Sequence, residues 1–475
     1  MDMFKRLRTH LQFFHQNEEC VMNSENNISR RKFVAGTSAA VLGTIMTNPI
    51  SAIAELLIPG KPLRIAMVGT GHRGTGMWGR DVVKTYGTQV EFVGLCDINP
   101  GRLEFAKKHM NVNCPVFIDF DEMIKKTHPE AVIVTTVDST HNYFIVKALA
   151  AGINVITEKP LTTDEIKLKE ILDAERKFGK KVIVTFNYRY SPHRSKIKEL
   201  LSQGRIGRVT SVDFHWYLDV YHGADYFRRW HRLREKGGTL LVHKATHHFD
   251  LLNWWIDSDP LLVNAYGELE FYGKNNSFRS TTCRGCAYKD KCKFFFDVTK
   301  DDRLMGLYSE NEKYDGYVRD GCVWKEDINI YDKMAVQIKY KNNVQVSYSL
   351  TTYSPYEGYR IAFNGTEGRL EAWVHERQPW PMEKYDEIQI TDNFGKMELV
   401  QVSEQGGGHG GGDDRLKDEI FLNQETVDPI HRAAGLRDGA LSVLVGIAAR
   451  KSIESGKPIS IADLTDLTLN SKRQY

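Results

Sequence analysis

The stretch LRIAMVGTGHRGTGMWG, residues 63–79, limits the possible folds of this chain more than any other. Its first six residues run apolar, as a strand covered on both faces does. Gly69, Gly71 and Gly74 follow at G-x-G-x-x-G spacing. The first allows a tight turn, the second lets a pyrophosphate approach the backbone, and the third lets helix pack on strand. A second apolar run, VEFVGLCD, ends in Asp97, 23 residues past Gly74, where a carboxylate can meet the adenosine ribose hydroxyls. Asp97 favours NAD, because the 2′-phosphate of NADP would face like charge. Arg102 is near enough to soften that preference, so NADP stays open.

Strand and helix then alternate through PGRLEFAKKH, PVFID, FDEMIKKT, AVIVTT, NYFIVKALAAG and NVITEKP. This predicts an α/β fold, with a doubly wound parallel sheet of Rossmann type over residues 62–186. Ligands bind beyond the carboxyl ends of strands in such sheets. TTVDSTHN lies at one such end, with Thr136 and His141, and EKP at the next, with Glu158 and Lys159. Together with His72, Arg73 and Asn187, these residues are the expected nucleotide contacts.

At 475 residues, with 41% hydrophobic and 26% charged content, the chain can bury two cores. A net charge of +3 gives no reason to expect a nucleic-acid face. The N-terminus reads NISRRKFVAGTSAAVLGTIM, with Arg30 and Arg31 before a short apolar stretch and a small-x-small site at Ala52–Ala54. This is the pattern of a twin-arginine signal, with an amphipathic anchor as the alternative. It predicts removal of residues 1–54, recognition by the twin-arginine machinery and a periplasmic location. Met22 is an alternative start. No later apolar run is long enough to span a bilayer.

The strand–GxGxxG–helix unit, the acid after the second strand, the histidine after the fourth and EKP after the fifth together resemble the Gfo/Idh/MocA oxidoreductases, relatives of glucose–fructose oxidoreductase and inositol dehydrogenase. The segment VTFNYRYSPHRSKIKELLSQGRIGRV extends the likeness, which covers residues 62–465. It implies a nicotinamide cofactor, a sugar-like substrate and a homo-oligomer. It also implies a second domain on an open, mostly antiparallel sheet, here residues 187–475 with a cysteine-bearing insertion around 276–325. The lysine of EKP would contact the substrate hydroxyl and nicotinamide region, so Lys159 takes that role. A fixed ammonium lowers the pKa of a hydroxyl that must lose its proton.

Relatives commonly carry G-G-x-L-x-D-x-G-x-H-x-x-D, and this chain reads GGTLLVHKATHHFD. His247 matches the family histidine and Asp250 the last acid, while His243 replaces an aspartate and Ala245 a glycine. The expected catalytic set is Lys159 with His247 as base, tuned by His243. Lys244, Asp250, Tyr188, Tyr190 and His409 are expected on the substrate side. On a continuous helix His243 and His247 would share a face. Zinc held by that pair is a rival reading, but it lacks a third ligand. The aromatic loop VYHGADYFRRWHRLREKGG suits a sugar, an interface or core packing alike.

Two motifs remain. Cys283, Cys286 and Cys292, with Cys322 beyond, have the spacing of metal ligands, which suits structural zinc or an iron–sulfur cluster. Two disulfides are the rival in an exported protein. GGGHGGGDD surrounds His409 with glycine and resembles a segment of the NAD-dependent glycosidases of the same superfamily. Free nicotinamide cofactor is scarce outside the cytoplasm. The expected enzyme therefore oxidises a sugar or glycoside hydroxyl with a tightly held cofactor. The alternative is a redox-neutral glycoside hydrolase, which oxidises, eliminates, hydrates and reduces in turn, with no pair of catalytic carboxylates.

Overall fold

The computed structural model describes residues 49–50, 53, 55–57, 60–381, 383–403, 405–422 and 428–473. Most of the expected signal, Arg30 and Arg31 included, lies outside the described residues. Ile50 and Ile53 are described, and both are buried in the first domain's core beside Leu63 and Ile65. The folded body thus begins before residue 54, so the expected cleavage there would remove core side chains.

The first sheet is fully parallel, with order β3-β2-β1-β4-β5-β6. Its strands are β1 Leu63–Val68, β2 Val90–Cys96, β3 Val116–Phe117, β4 Ala131–Val134, β5 Asn154–Thr157 and β6 Val182–Val184. β1 and β4 are buried along almost their whole length, as their unbroken apolar runs require. The strand order reverses on either side of β1, and a ligand crevice opens at that switch.

The glycines explain how the crevice is built. Gly69 has φ +93°, and a Cβ there would stand 2.6 Å from the Thr135 carbonyl carbon. A Cβ on Gly74 would meet the Gly69 oxygen at 2.2 Å. The following segment, Gly74–Arg80, winds as a wide π-helix before tightening into the α-helix Asp81–Tyr86. Three glycines in seven residues weaken the ordinary helical preference there.

The second sheet has nine strands in the order β14-β13-β12-β11-β7-β10-β9-β8-β15. They are β7 Val209–Asp219, β8 Pro260–Glu268, β9 Lys333–Tyr340, β10 Gln345–Ser354, β11 Glu357–Gly365, β12 Gly368–Arg377, β13 Tyr385–Asp392, β14 Met397–Ser403 and β15 Ile459–Ser460. Within this sheet, among the described residues, only the β7–β10 pairing is parallel. The alternating burial of β9 and β10 shows one covered face. The helix Thr246–Ile256, buried on every side, and the long helix Leu436–Ser455 pack together.

Two segments of the C-terminal part return to the first domain. The helix Gly412–Leu422 sends Leu416, Ile420 and Phe421 into its core beside Trp78 and Tyr86. Within the insertion, Gly306 packs on Phe105, and Asn311 lies against Gly101.

The glycine geometry predicts two opposite outcomes. Gly74→Ala drives a Cβ into backbone and should cost about 1–3 kcal/mol. Gly76, with nothing near its would-be Cβ, should tolerate alanine within about 1 kcal/mol. Chemical denaturation of both variants measures the difference.

Candidate active site

The site gathers at the carboxyl ends of β1, β4 and β5. A Cβ on Gly71 would stand 3.3 Å from the Tyr308 hydroxyl. That hydroxyl accepts the His72 N–H at 2.7 Å. At the end of β2, the Asp97 carboxylate accepts from the Thr70 N–H at 2.7 Å and from Asn99 N–H and Arg102. Arg102 also bonds Asp315, and Asn99 donates to the Asn311 carbonyl. One face of the insertion therefore lies over the nucleotide loop. The cramped Gly69 and Gly74, Gly71 between them and the acid ending β2 fit a dinucleotide cradle.

Arg73 reaches across this cradle, donating to Glu158 at 2.7 Å and to Asp413 at 3.1 Å. Glu158 also accepts from Trp78 Nε1 at 2.7 Å. Burial would raise the Glu158 carboxyl, but Arg73 outweighs it and keeps the group ionised. Asp413 accepts in turn from Asn187 Nδ2 and lies 3.0 Å from His409 Nδ1. His409, at φ +55°, brings its ring within 5.3 Å of Tyr188.

Lys159 follows Glu158, and its Nζ donates to the His243 carbonyl at 3.2 Å. Burial lowers its pKa, against the opposing charges of Asp138 and Glu158. His243 Nδ1 lies 2.5 Å from Asp138 Oδ2. Burial raises the Asp138 carboxyl and lowers the His243 imidazolium, so the charged form of each is disfavoured. His247 stacks on Tyr188 at 4.3 Å, and its buried Nδ1 has no partner. Burial first and Lys159 second hold its pKa well below the usual histidine value, leaving a neutral imidazole. Lys244 donates to the Tyr188 hydroxyl at 3.1 Å and stands 4.0 Å from Glu357.

Residues 63–186 match the oxidoreductase family's NAD-binding Rossmann fold, and residues 198–461 match its C-terminal alpha/beta domain. The oxidoreductase YteT of Bacillus subtilis (strain 168) is 39% identical over 84% of this chain and 98% of its own length. The chain belongs to the Gfo/Idh/MocA family. Inositol 2-dehydrogenase/D-chiro-inositol 3-dehydrogenase of Lactiplantibacillus plantarum is 25% identical over 43% of this chain and 55% of its own. Among solved structures, levoglucosan dehydrogenase in complex with NADH and levoglucosan superposes with a TM-score of 0.60. That match has 18% identity and covers 84% of this chain and all of the other. The protein is an NAD(P)-dependent oxidoreductase of the Gfo/Idh/MocA type.

Among the expected site residues of this family member, Lys159, His243, Lys244, His247, Tyr188 and His409 do converge. Others are committed elsewhere. Asp250 clamps the buried Arg189 with two bonds at 2.6 and 2.8 Å, so it serves the interior and not a substrate. Tyr190 is buried among Leu416 and Ile420 in the nucleotide-domain core. Both His141 ring nitrogens face carbonyls, those of Pro160 and Thr136, and the ring braces two loops. Thr136 accompanies it at the end of β4, its hydroxyl bonded by that of Thr140. The helix expected to carry both central histidines breaks at Lys244–Ala245, between Leu240–His243 and Thr246–Ile256. The two histidines thus come from separate helical segments, and the charge of Lys159 acts on both imidazoles. No three His, Cys, Asp or Glu side chains among the described residues are placed to hold one ion, which removes support from a His243/His247 zinc.

Sequence reasoning missed Asp138, Asp413, Glu357 and Tyr308. Asp138 had a signal, since it stands in the same post-strand loop as Thr136. Tyr308 had none, because its partner His72 is 236 residues away.

The Asp250 assignment has a direct test. Asp250→Ala leaves Arg189 deprived of one buried partner and should destabilise the fold by about 3–5 kcal/mol. A substrate contact would instead raise KM with stability unchanged.

Proposed function

We propose that this enzyme oxidises a hydroxyl of a sugar or glycoside, with NAD held tightly between the glycine loop and the insertion. The observation that carries the reading is the buried, partnerless Nδ1 of a neutral His247 beside Lys159. A buried polar atom without a partner is costly, and a substrate hydroxyl would satisfy it. Bound nicotinamide supplies the hydride acceptor. His247 takes the hydroxyl proton, and Lys159 stabilises the negative charge building on that oxygen. His243, tied to Asp138 by its ring and to Lys159 by its carbonyl, positions the lysine. Lys244 and Tyr188 orient the sugar, and Asp97 selects NAD by its charge.

Tight retention is supported by Tyr308, Asn311 and Asp315, which fasten the insertion over the nucleotide loop. Export by the twin-arginine route belongs to the same proposal, on the strength of Arg30, Arg31 and the apolar stretch after them. A folded enzyme can carry its cofactor through that route, and no free pool is then needed outside.

A second reading, redox-neutral glycoside cleavage, is favoured by His409. It lies 6.0 Å from the His247 ring and extends the site by a further titratable group. A cavity of about 960 Å³, lined by His222, Glu357 and Arg377 among others, gives room for a leaving group. Oxidation of one carbon would acidify the adjacent C–H, its proton would leave with the glycosidic oxygen, and water addition and reduction would close the cycle.

The purified native protein, offered a panel of glycosides after its nucleotide content is measured, decides between them. Bound NAD with an oxidised sugar as product supports the first reading. Free sugar with no net NADH selects the second. A chain that neither carries nor takes up nucleotide rejects both.

The roles of His247 and Lys159 predict further outcomes. His247→Ala should lower kcat by about 10²–10⁴-fold while leaving nucleotide content unchanged. Because the folded Lys159 pKa is lowered, its cation is lost as pH rises through a value below the ordinary ~10.4 of lysine. The alkaline limb of kcat/KM should fall below that value, and Lys159→Arg should move it out of the accessible range. A limb unchanged by Lys159→Arg would exclude the lysine as its source.

A further inference from the structure

The cavity of about 960 Å³ is lined by none of Lys159, His243 and His247, so it lies outside the reacting centre itself. Three parts of the chain wall it: the helix Val220–Arg228, the insertion segment 293–296, and the paired ends of β11 and β12. The four cysteines of the insertion, Cys283, Cys286, Cys292 and Cys322, line a neighbouring space of only about 10 Å³. That is room for no more than about one water. Among the described residues no three His, Cys, Asp or Glu side chains are placed to hold an ion, so the expected metal site gains no support there. The usable space lies on the other side of Arg228, which borders both.

Each wall is fixed before any ligand arrives. Asp219 caps the helix by accepting from the N–H groups of Tyr221 at 2.8 Å and His222 at 2.9 Å. Arg377, paired with Glu357 across β11 and β12, bonds the same Asp219. The buried Arg228 donates to the Phe294 carbonyl, and to that of Gly321 at 3.3 Å, tying the insertion to the helix. Small-molecule sites are usually preformed in this way and span about 300–1,000 Å³. This cavity stands at the upper end of that range.

Two carboxylates link the cavity to the reacting centre. Glu357 lies 2.8 Å from His222 Nδ1 and 4.0 Å from Lys244 Nζ. Glu376 bonds Arg194, whose guanidinium stands 4.1 Å from the centre of the Tyr188 ring. Lys244 donates to the hydroxyl of that tyrosine, and His247 stacks on its ring. The lining thus reaches the proposed base through Lys244, Arg194 and Tyr188.

The chemistry of the lining suits a sugar ring. Tyr221 is 76% exposed and Phe295 38%, and an aromatic face can pack against the C–H face of a sugar. His222, Glu357, Glu376, Arg228 and Arg377 add both acceptors and donors for hydroxyl groups. We propose that this cavity is a subsite for a second sugar unit, so that the substrate is a disaccharide or a longer chain. The proposal rests on oxidation of a sugar hydroxyl beside His247 and adds what that sugar is joined to. Contacts far from the reacting carbon can raise the rate as well as the affinity, because they help to orient the reacting group.

Single-turnover reduction of the bound nucleotide, followed by absorbance on the full chain, is the test. Cellobiose, maltose, lactose and an aldobiouronic acid are each compared with the methyl glycosides of their own units. The expected second-order rate constant is at least about 10-fold higher for a disaccharide than for its methyl glycosides. Phe295→Ala and Tyr221→Ala should each remove about 3–10-fold of that gain while leaving the methyl glycosides unaffected. Should either variant fail to fold, the wild-type comparison decides alone. Equal rate constants for both kinds of sugar, or a gain that survives both substitutions, would overturn the subsite and leave the oxidation standing. No reduction by any of these sugars would overturn the oxidation and the subsite together.

Discussion

The Arg73 guanidinium bonds Glu158 on one side and Asp413 on the other, joining three stretches of chain far apart in sequence. Burying these groups is expensive unless each charge is matched. Burial alone would raise the Asp413 carboxyl, but Arg73 and His409 hold it far below its usual range. With Glu158 fixed, the next residue, Lys159, is delivered to the His243 carbonyl. With Asp413 fixed, Asn187 and His409 have a common anchor. The nucleotide loop, the lysine and the glycine-flanked histidine all take their positions from this one cation.

A second constraint is electrostatic crowding. Lys159, Lys244, His243 and His247 lie in one poorly hydrated region, and each positive charge disfavours the next. Their imidazoles are held well below the usual histidine pKa, so a further positive charge there is disfavoured. Asp138 and Glu357 offset the two lysines. This arrangement suits a reaction that builds negative charge on oxygen and releases one proton.

Much of this was legible in the sequence, for identifiable reasons. The period of the strands and the spacing of Gly69, Gly71 and Gly74 are local, and local pattern fixed the parallel sheet and its crevice. Lys159 and His247 could be placed because each lies in a short motif at a strand end or helix start. Asp250 and Tyr190 were misplaced because their surroundings depend on Arg189 and Ile420, which no spacing rule reveals. The helix break at Lys244 was also hidden. LVHKATHHFDLLNWW is uniformly helix-compatible, while the turn into it depends on Thr239 at φ +94°. Asp138 lay in plain view but gained its meaning only from His243, 105 residues away.

The anchor of Lys159 on the His243 backbone has an evolutionary consequence. A carbonyl is common to all twenty residues, so the lysine's grip does not depend on which side chain stands at 243. A change of side chain at 243 would therefore alter the acid–base character beside the lysine while preserving the contact with its ammonium. Position 243 is thus a point at which a lineage can try new chemistry without first dismantling the old.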